Sequence, residues 1–249
     1  MATKRKSGSA PAPRVYTAPA LSPLYMPPPY EYRDLWAMMI PFKSDPKVIA
    51  KLVPAPLVPD PQGACTVTIS RFFTAGFGSY HEFVLAAGAK FQGRAVNYSL
   101  YLVLDNDIAI AAGREIWGFP KKLGRVTLGD RDGVMKSEVE RGGFTIARAG
   151  MQIGPLAQPG DMAGSPEYVN LKVIPSVNNA APPDVMQLTS TTLTNIAVRL
   201  AFKGRAMLEL GASPADPFNA IPVREVGEGF YYNADFTLGD GVVIHDYRE

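Results

Sequence analysis

Short runs of β-branched and aromatic residues recur along most of the chain, separated by Gly, Pro, Asn or Asp rather than by long helical patterns. Many of these runs alternate apolar with polar residues, which is typical of strands that bury one face. Strands that follow one another without long helices between them favour antiparallel sheets over a doubly wound α/β fold. The sequence therefore predicts a mainly β protein, a sandwich or a barrel. The predicted strands are 65–73, 96–104, 108–112, 136–149, 168–174, 185–202, 206–210 and 231–247.

The balance of apolar and charged residues predicts that this sheet has a sizeable core. Hydrophobic residues make up 47% of the chain and charged residues 19%, which is not the composition of a disordered protein. We expect residues 30–249 to form a single domain. Residues 1–29 carry prolines at 11, 13, 18, 23, 27, 28 and 29. This density of proline favours an extended arm, either disordered or lying across a neighbouring subunit.

Two local patterns predict a helix and a turn. In residues 45–54, Asp45 can cap a helix, Pro46 suits its first turn, and Pro54 stops it after an apolar stripe. The run Asp130-Arg131-Asp132-Gly133 between two predicted strands indicates a hairpin turn. A calcium loop is the alternative for its two aspartates, but the further oxygen ligands and the closing glutamate are missing.

Charge, cysteine content and hydropathy limit which partners and which cellular compartment are expected for the protein. A formal net charge of +2 is too small to indicate a nucleic-acid partner, and a solvated tail explains the Lys4-Arg5-Lys6 run better than a localisation patch. Cys65 is the only cysteine, which excludes an internal disulfide framework and a multi-cysteine metal site. The sequence contains neither a secretory signal nor an apolar run long enough to span a bilayer. We therefore expect a cytoplasmic protein without a membrane partner.

The segment Gly113-Arg-Glu-Ile-Trp-Gly-Phe-Pro-Lys-Lys-Leu-Gly124 places two lysines beside aromatic side chains. Pro120 is expected to start a turn or a short helix that carries both lysines. A solvated lysine has a pKa near 10.4 and is almost fully protonated at pH 7, so it is a poor nucleophile. Burial among apolar groups lowers that pKa and frees the amine. Neighbours in sequence point about 100° apart on a helix and to opposite faces on a strand, so Lys122 need not lie beside Lys121.

This segment is very similar to the GRE-x-x-x-[YF]-P-K-K-L-G signature of the acetoacetate decarboxylase family. Weaker similarity extends from about Tyr30 to the C-terminus, through residues 51–57, 221–226 and 243–247. The resemblance implies an antiparallel sheet wrapped into a cone or barrel with few short helices, in a homo-oligomer. It also implies that Lys121 forms a Schiff base with the substrate, with Lys122 as its companion. From the segment itself we expect Phe119 and Trp117 to form apolar walls that desolvate Lys121.

Three further residues are placed by the resemblance. Glu82 matches the family's glutamate, which is expected to contact substrate or to assist proton transfer. Arg33 matches an early arginine whose planar fork suits a substrate carboxylate; the alternative is a surface ion pair with Glu31 or Asp34. The family's second acidic residue aligns with Val67, which is a departure from the pattern.

These residues predict an enzyme, a carbon-carbon lyase that decarboxylates a small 3-oxo acid, as acetoacetate to acetone and CO2. Because Val67 replaces an acid, an aldolase-dehydratase that joins a 2-oxo acid such as pyruvate to an aldehyde is the alternative. A non-catalytic protein that binds a small acid is the remaining one. We expect no cofactor and no metal, because the iminium serves as the electron sink, the sequence lacks a nucleotide-binding glycine loop, and His81 and His245 are its only histidines.

Overall fold

The computed structural model describes residues 16–158, 160–162 and 164–249. Helical structure in these residues comprises two α-helices, a π-helix and a 3₁₀ helix: α1 (Pro46–Leu52), α2 (Asp107–Ala112), the π-helix (Gly113–Trp117) and the 3₁₀ helix (Phe218–Ala220). The strands are β1 (Tyr30–Lys43), β2 (Val58–Pro59), β3 (Ala64–Thr74), β4 (Gly78–Phe91), β5 (Arg94–Leu104), β6 (Lys121–Leu123), β7 (Arg125–Val126), β8 (Gly129–Arg131), β9 (Val134–Arg141), β10 (Phe144–Gln152), β11 (Glu167–Ile174), β12 (Val185–Leu210), β13 (Glu225–Val226), β14 (Glu228–Leu238) and β15 (Val242–Asp246).

The sheet closes on itself as a ring. Its strands follow in the order β11, β5, β4, β3, β1, β14 and β12, and β12 pairs again with β11. Most of these pairings are antiparallel; β11 beside β5 and β6 beside β5 are parallel. The last five residues of β12, 206–210, extend beyond its pairing with β14 and pair with β10, which pairs with β9. The prediction of a mainly β, antiparallel fold is therefore confirmed.

The two faces of the ring strands have different surroundings. On β3, Val67 and Ile69 belong to a hydrophobic core that also contains residues of β9 and β10, such as Val139 and Ile146. The alternate residues Thr68 and Ser70 line a cavity inside the ring. Because successive side chains on a strand point to opposite faces, the alternation of apolar and polar residues assigns one face to the core and the other to the cavity.

Several sequence-based predictions of elements are confirmed and others are wrong. Helix α1 begins after Asp45, whose side chain accepts a hydrogen bond from the Lys47 backbone N at 2.8 Å. The predicted hairpin turn joins β8 to β9, with Asp132 and Gly133 at φ of 54° and 75°. The predicted strand 108–112 is wrong, because these residues form α2, capped by Asn106. A short apolar run does not distinguish a buried helix from a strand, and three of its five residues are alanines, which favour helix.

Several strand boundaries differ from prediction, and the conformation or packing of glycines explains two of these differences. The predicted strand 136–149 is two strands, joined by a turn in which Gly142 and Gly143 have positive φ. Residues 185–210 form one strand rather than two. Gly204 does not end it, because a Cβ at this glycine would lie 2.0 Å from the carbonyl oxygen of Gln152. This glycine therefore permits close contact between backbones. The predicted strand 231–247 is divided into β14 and β15, and β4 was not predicted.

The described part of the proline-rich arm packs on its own chain. Tyr25 is buried and its hydroxyl donates a hydrogen bond to the Glu115 carboxylate on the π-helix. Thr17 donates to the same carboxylate at 3.3 Å. Residues 1–15 of the predicted arm lie outside the described residues. Within the described ranges, none of the helices has the length and hydropathy needed to cross a bilayer.

Candidate active site

Lys121 projects into the ring from a very short strand. Strand β6 runs parallel to the end of β5, and Lys121 pairs with Leu102, so both side chains face the cavity. Only 7% of Lys121 is exposed. The sequence led us to expect the two lysines in a turn or a short helix after Pro120; that expectation is wrong, because the helical turn ends before Pro120.

A buried carboxylate meets the amine of Lys121. Glu82 lies on β4, is 5% exposed, and places Oε2 2.7 Å from Lys121 Nζ. Glu82 faces the cavity because Tyr80 and Val84, two residues away on either side, also line it. A buried ammonium is tolerated when a hydrogen-bonded carboxylate compensates its charge. The structure thus brings together the two residues that the family signature predicted for the centre of the site.

The segment before Lys121 shapes the space that the lysine occupies. A Cβ at Gly113 would lie 2.6 Å from both Cδ and Cε of Lys121, so this glycine leaves room for the lysine side chain. Arg114 Nη1 donates to the carbonyl oxygen of Lys121 at 3.2 Å. Phe119 lines the cavity, and Lys121 Nζ lies 5.6 Å from the centre of its ring. The lysine is therefore held by glycine, backbone and aromatic contacts from one continuous segment.

Trp117 supports this segment from behind instead of lining the cavity. The indole is buried, and its Nε1 donates to the carbonyl oxygen of Gly239 at 3.1 Å. Its ring packs edge-on against Tyr30 at a centroid distance of 5.7 Å. Of the two aromatic residues predicted as walls, Phe119 lies at the cavity and Trp117 behind it.

Lys122 points to the opposite side of β6 from Lys121. Its Nζ lies 2.6 Å from Oδ1 of Asp216, whose other oxygen accepts a hydrogen bond from Arg141 Nε at 2.9 Å. Burial by itself would raise the pKa of Asp216, but hydrogen bonds from Lys122 and Ser213 and the two cationic charges hold that pKa below its ordinary value. Lys122 is thus an anchor of the strand on the outer side, and the structure does not bring it to the Lys121 amine.

Arg33 also lies away from the cavity. Its guanidinium donates to the carboxylate of Glu31, and 45% of its side chain is exposed. The surface ion pair that was the alternative reading of this residue is therefore the one observed in the chain. The adjacent Tyr32 lines the cavity instead.

Val67 does not occupy the place of a missing cavity acid. It is fully buried in the core on the outer face of β3. The cavity-facing positions of this strand are Thr66, Thr68, Ser70 and Phe72. No acid stands at any of these four positions, so Glu82 and Lys121 meet without a second carboxylate from β3.

The cavity inside the ring has a volume of about 390 Å³. Its walls are mainly apolar and come from every strand of the ring. Residues that line it include Leu35, Met39, Thr66, Thr68, Ser70, Phe72, Tyr80, Glu82, Val84, Leu102, Phe119, Lys121, Tyr168, Leu193, Ile196, Val198, Phe230, Tyr232 and Phe236. A mainly apolar cavity with a few converging polar groups is the usual form of a small-molecule site.

A pair of tyrosines at the buried end of the cavity was not predicted from the sequence. The hydroxyls of Tyr32 and Tyr80 lie 3.1 Å apart, and burial raises the pKa of both. Burial likewise raises the pKa of Tyr168 to about 12. These hydroxyls therefore keep their protons at neutral pH and act as donors. The signal available in the sequence was the alternation Tyr80-His81-Glu82, which places Tyr80 and Glu82 on one strand face.

The histidines lie apart from this centre. His81 contacts Asp105, with 3.3 Å between Nδ1 and Oδ2, and His245 packs edge-on against Tyr247. Within the described ranges, no three His, Cys, Asp or Glu side chains are grouped as ligands of a metal ion.

The chain is similar to known proteins in its family, its sequence and its fold. The family model described as acetoacetate decarboxylase (ADC) matches residues 12–248. Acetoacetate decarboxylase 1 of Mesorhizobium japonicum is 31% identical, over 94% of this chain and 95% of the relative. The acetoacetate decarboxylase of Paraburkholderia xenovorans is 33% identical, over 93% of this chain and 92% of the relative.

Several solved structures have a similar fold. A structure from studies of acetoacetate decarboxylase has a TM-score of 0.88 and 28% identity, covering 95% of this chain and 97% of that one. Acetoacetate decarboxylase from Legionella pneumophila has a TM-score of 0.87 and 26% identity, covering 99% and 100%. The enduracididine biosynthesis enzyme MppR, complexed with pyruvate, has a TM-score of 0.82 and 19% identity, covering 94% and 99%, and shares the fold.

Proposed function

The chain belongs to the acetoacetate decarboxylase family, a family of carboxy-lyases, and from this premise we propose that it decarboxylates a 3-oxo acid through an imine on Lys121. The observation that carries the proposal is the buried amine of Lys121 at 2.7 Å from Glu82 inside a mainly apolar cavity. A lysine in such a place can act as a nucleophile if a neighbouring base removes its proton.

Imine formation uses Glu82 as a proton carrier. Glu82 accepts a proton from Lys121 Nζ, and the neutral amine adds to the ketone carbon of the substrate. Transfer of one of the two protons on nitrogen to the oxygen gives a hydroxyl group. Glu82 then returns its proton to this hydroxyl, which leaves as water. The products of this stage are a protonated imine on Lys121 and the ionised form of Glu82.

Loss of CO2 follows from the positive charge on the imine nitrogen. The bond between the α-carbon and the carboxylate breaks, CO2 departs, and the electron pair moves through a new carbon-carbon double bond onto the nitrogen. The resulting neutral enamine takes one proton from solvent at carbon and becomes an iminium again. Water hydrolyses this iminium to the ketone and returns Lys121 as an ammonium beside Glu82.

The carboxylate of the substrate is held by neutral donors in this proposal. Arg33 is paired with Glu31 and lies outside the cavity, whereas Tyr32 and Tyr80 line it beside Glu82. One of the two hydroxyls donates to the other, so one O–H remains free to donate to an anion. A neutral donor binds a carboxylate less strongly than a guanidinium does, so it stabilises the ground-state carboxylate less and hinders loss of CO2 less.

One observation favours aldol condensation and dehydration as a second candidate. The cavity-facing positions Thr66, Thr68 and Ser70 supply hydroxyls and no second acid. The same imine on Lys121 would then activate a 2-oxo acid for attack on an aldehyde. The likeness to MppR in complex with pyruvate concerns the fold. A non-catalytic acid-binding protein would not need a lysine and a glutamate buried against each other.

Borohydride trapping tests the proposal. The protein is incubated with acetoacetate or with pyruvate, reduced with sodium borohydride, and read by peptide mass, while CO2 release is measured in parallel. We expect an adduct on the peptide that contains Lys121, and CO2 from acetoacetate. An adduct with pyruvate, together with aldehyde condensation and no CO2, would support the second candidate. Absence of any adduct would remove both.

We also propose that residues 30–249 form one folding unit, that the chain assembles as a homo-oligomer, and that it works in the cytoplasm. The family resemblance supports the assembly, and the buried, unpaired thiol of Cys65 suits a reducing compartment. Sedimentation of the purified protein tests the assembly, and a single cooperative unfolding transition tests the folding unit. Fractionation of the source cells tests the compartment.

A further inference from the structure

The size and lining of the cavity point to a substrate larger than acetoacetate. We infer that the substrates of Lys121 are 3-oxo monocarboxylic acids whose ketone carbon carries an extended apolar substituent. This inference rests on the proposed function and names its substrate class.

The volume is the first reason. The cavity measures about 390 Å³, within the range of roughly 300–1,000 Å³ that is usual for ligands the size of drugs. A four-carbon acid fills only a small part of such a space. The remainder would stay apolar and empty or hold poorly bonded water, neither of which contributes to binding. An alkyl or aryl substituent would fill it and displace that water.

The distribution of charge is the second reason. Lys121 and Glu82 are the buried charged side chains that line the cavity within the described part of the chain, and they neutralise each other. The other carboxylates on the lining, Asp161 and Asp235, are paired with Lys203 and Arg199 at 3.0 Å and 2.8 Å. A second carboxylate or a phosphate on the substrate would find no cation left for it among these residues.

The gradient of burial along the cavity gives the direction of the substituent. At one end of the cavity, Tyr32, Phe72 and Tyr80 are buried. At the other end the register pairs Thr68 with Met39 and Thr66 with Pro41, and these four residues are partly exposed. If the tyrosine hydroxyls hold the carboxylate at the buried end, as proposed, the substituent extends from Lys121 towards the partly exposed Thr68 and Met39.

Exposed apolar side chains at the cavity rim support an apolar substituent. Ile196 and Val198 on β12 line the cavity and are 51% and 48% exposed. Apolar groups of this size remain in contact with water unless a ligand covers them. Phe230 on the neighbouring strand β14 adds an aromatic surface to the same lining. An apolar substituent of several carbons would remove these surfaces from water.

Chain-length kinetics tests the inference. The specificity constant kcat/KM for CO2 release is measured for 3-oxobutanoate, 3-oxohexanoate and 3-oxooctanoate. We expect it to rise by about fourfold for each added methylene, which is the factor that corresponds to ~0.8 kcal/mol per buried methylene. The variant Thr68→Trp narrows the channel and should reduce the ratio of the octanoate to the butanoate constant. The control Val58→Phe, at an exposed position on β2, should leave this ratio unchanged.

Binding without chemistry provides the second measurement. Calorimetric titration with butanoate, hexanoate and octanoate should show a dissociation constant that falls along the series in the wild type and stays flat in Thr68→Trp. A specificity constant highest for 3-oxobutanoate, with affinity independent of chain length, would overturn the inference and leave the proposed function standing. If no 3-oxo acid yields CO2 or a borohydride adduct, the proposed function fails and the inference falls with it.

Discussion

Lys121 Nζ and Glu82 Oε2 lie 2.7 Å apart inside a ring of strands, and both side chains are at least nine-tenths buried. The two residues come from β6 and β4, which are separated in the sheet by β5. The contact between the two residues therefore depends on how β4, β5 and β6 pair in the sheet. Each of the two residues can be substituted in turn, so the proposed role of each can be tested.

Arginine at position 121 should abolish catalysis while preserving the charge beside Glu82. A guanidinium cannot be deprotonated at neutral pH, so it forms no imine. We expect kcat of Lys121→Arg to fall by roughly 10⁴-fold or more, as for other lost nucleophiles. The matched control is Lys122→Arg, which keeps its contact with Asp216 and should retain activity. Equal losses in both variants would contradict the assignment of the nucleophile.

Glutamine at position 82 should lower kcat more than it raises KM. The amide still accepts a hydrogen bond from Lys121 but cannot carry a proton, so imine formation loses its base. A fall of about 10²–10⁴-fold in kcat is expected from the loss of a proton carrier. The control is Glu140→Gln, which breaks an exposed pair with Arg125 and should change neither rate nor stability measurably. A kcat within twofold of the wild type for Glu82→Gln would rule out Glu82 as the base.

Alanine at position 113 should impair the enzyme with little loss of stability. Gly113 has right-handed helical φ and ψ, so alanine suits its backbone, but the new Cβ would meet Lys121 Cδ and Cε at 2.6 Å. The flexible lysine can move, and it then loses its contact with Glu82. We expect a fall in kcat of at least about tenfold for a displaced catalytic group. Gly129→Ala, which adds a Cβ into open space, serves as the control. Trapping yield and thermal unfolding of both variants check the prediction.

Phenylalanine at position 80 should weaken binding of the substrate carboxylate. Tyr80→Phe removes one of the two paired hydroxyls, and we expect KM to rise by roughly 5- to 150-fold, the range for a buried hydrogen bond worth about 1–3 kcal/mol. Tyr98→Phe, in the core on the other face of the sheet, is the control and should leave KM unchanged. An unchanged KM in Tyr80→Phe would mean that another group holds the carboxylate.

Asp216 should make stability depend on acid pH. Its pKa in the folded protein lies below the ordinary aspartate value, so the stabilisation is present above the unfolded value of about 3.9 and is lost as pH falls through the folded value. At pH 7 we expect Asp216→Asn to lower the free energy of unfolding by about 1–3 kcal/mol, because Lys122 and Arg141 lose their shared partner. The difference from wild type should shrink between pH 5 and pH 3, as urea unfolding at each pH would show. A difference in unfolding free energy that does not change with pH would contradict a lowered pKa of Asp216 in the folded protein.

Prediction from the sequence succeeded where the signal is local. The mainly β fold follows from alternating apolar and polar residues, α1 from the Asp45 cap, and the β8 to β9 turn from Asp132 and Gly133. It failed at 108–112, where a short apolar run is compatible with either helix or strand. It failed again around Gly204, because whether a glycine ends a strand or admits a neighbouring backbone depends on what packs against it.

The site shows the same division. The segment from Gly113 to Gly124 determined by itself that a lysine would lie beside aromatic residues, and its resemblance identified the family. Only the tertiary structure decided that Lys121 faces the cavity while Lys122 faces Asp216, that Arg33 and Val67 point elsewhere, and that two paired tyrosines line the cavity. The physical reason is that side chains alternate across a strand, so the direction of each depends on the register between strands distant in sequence.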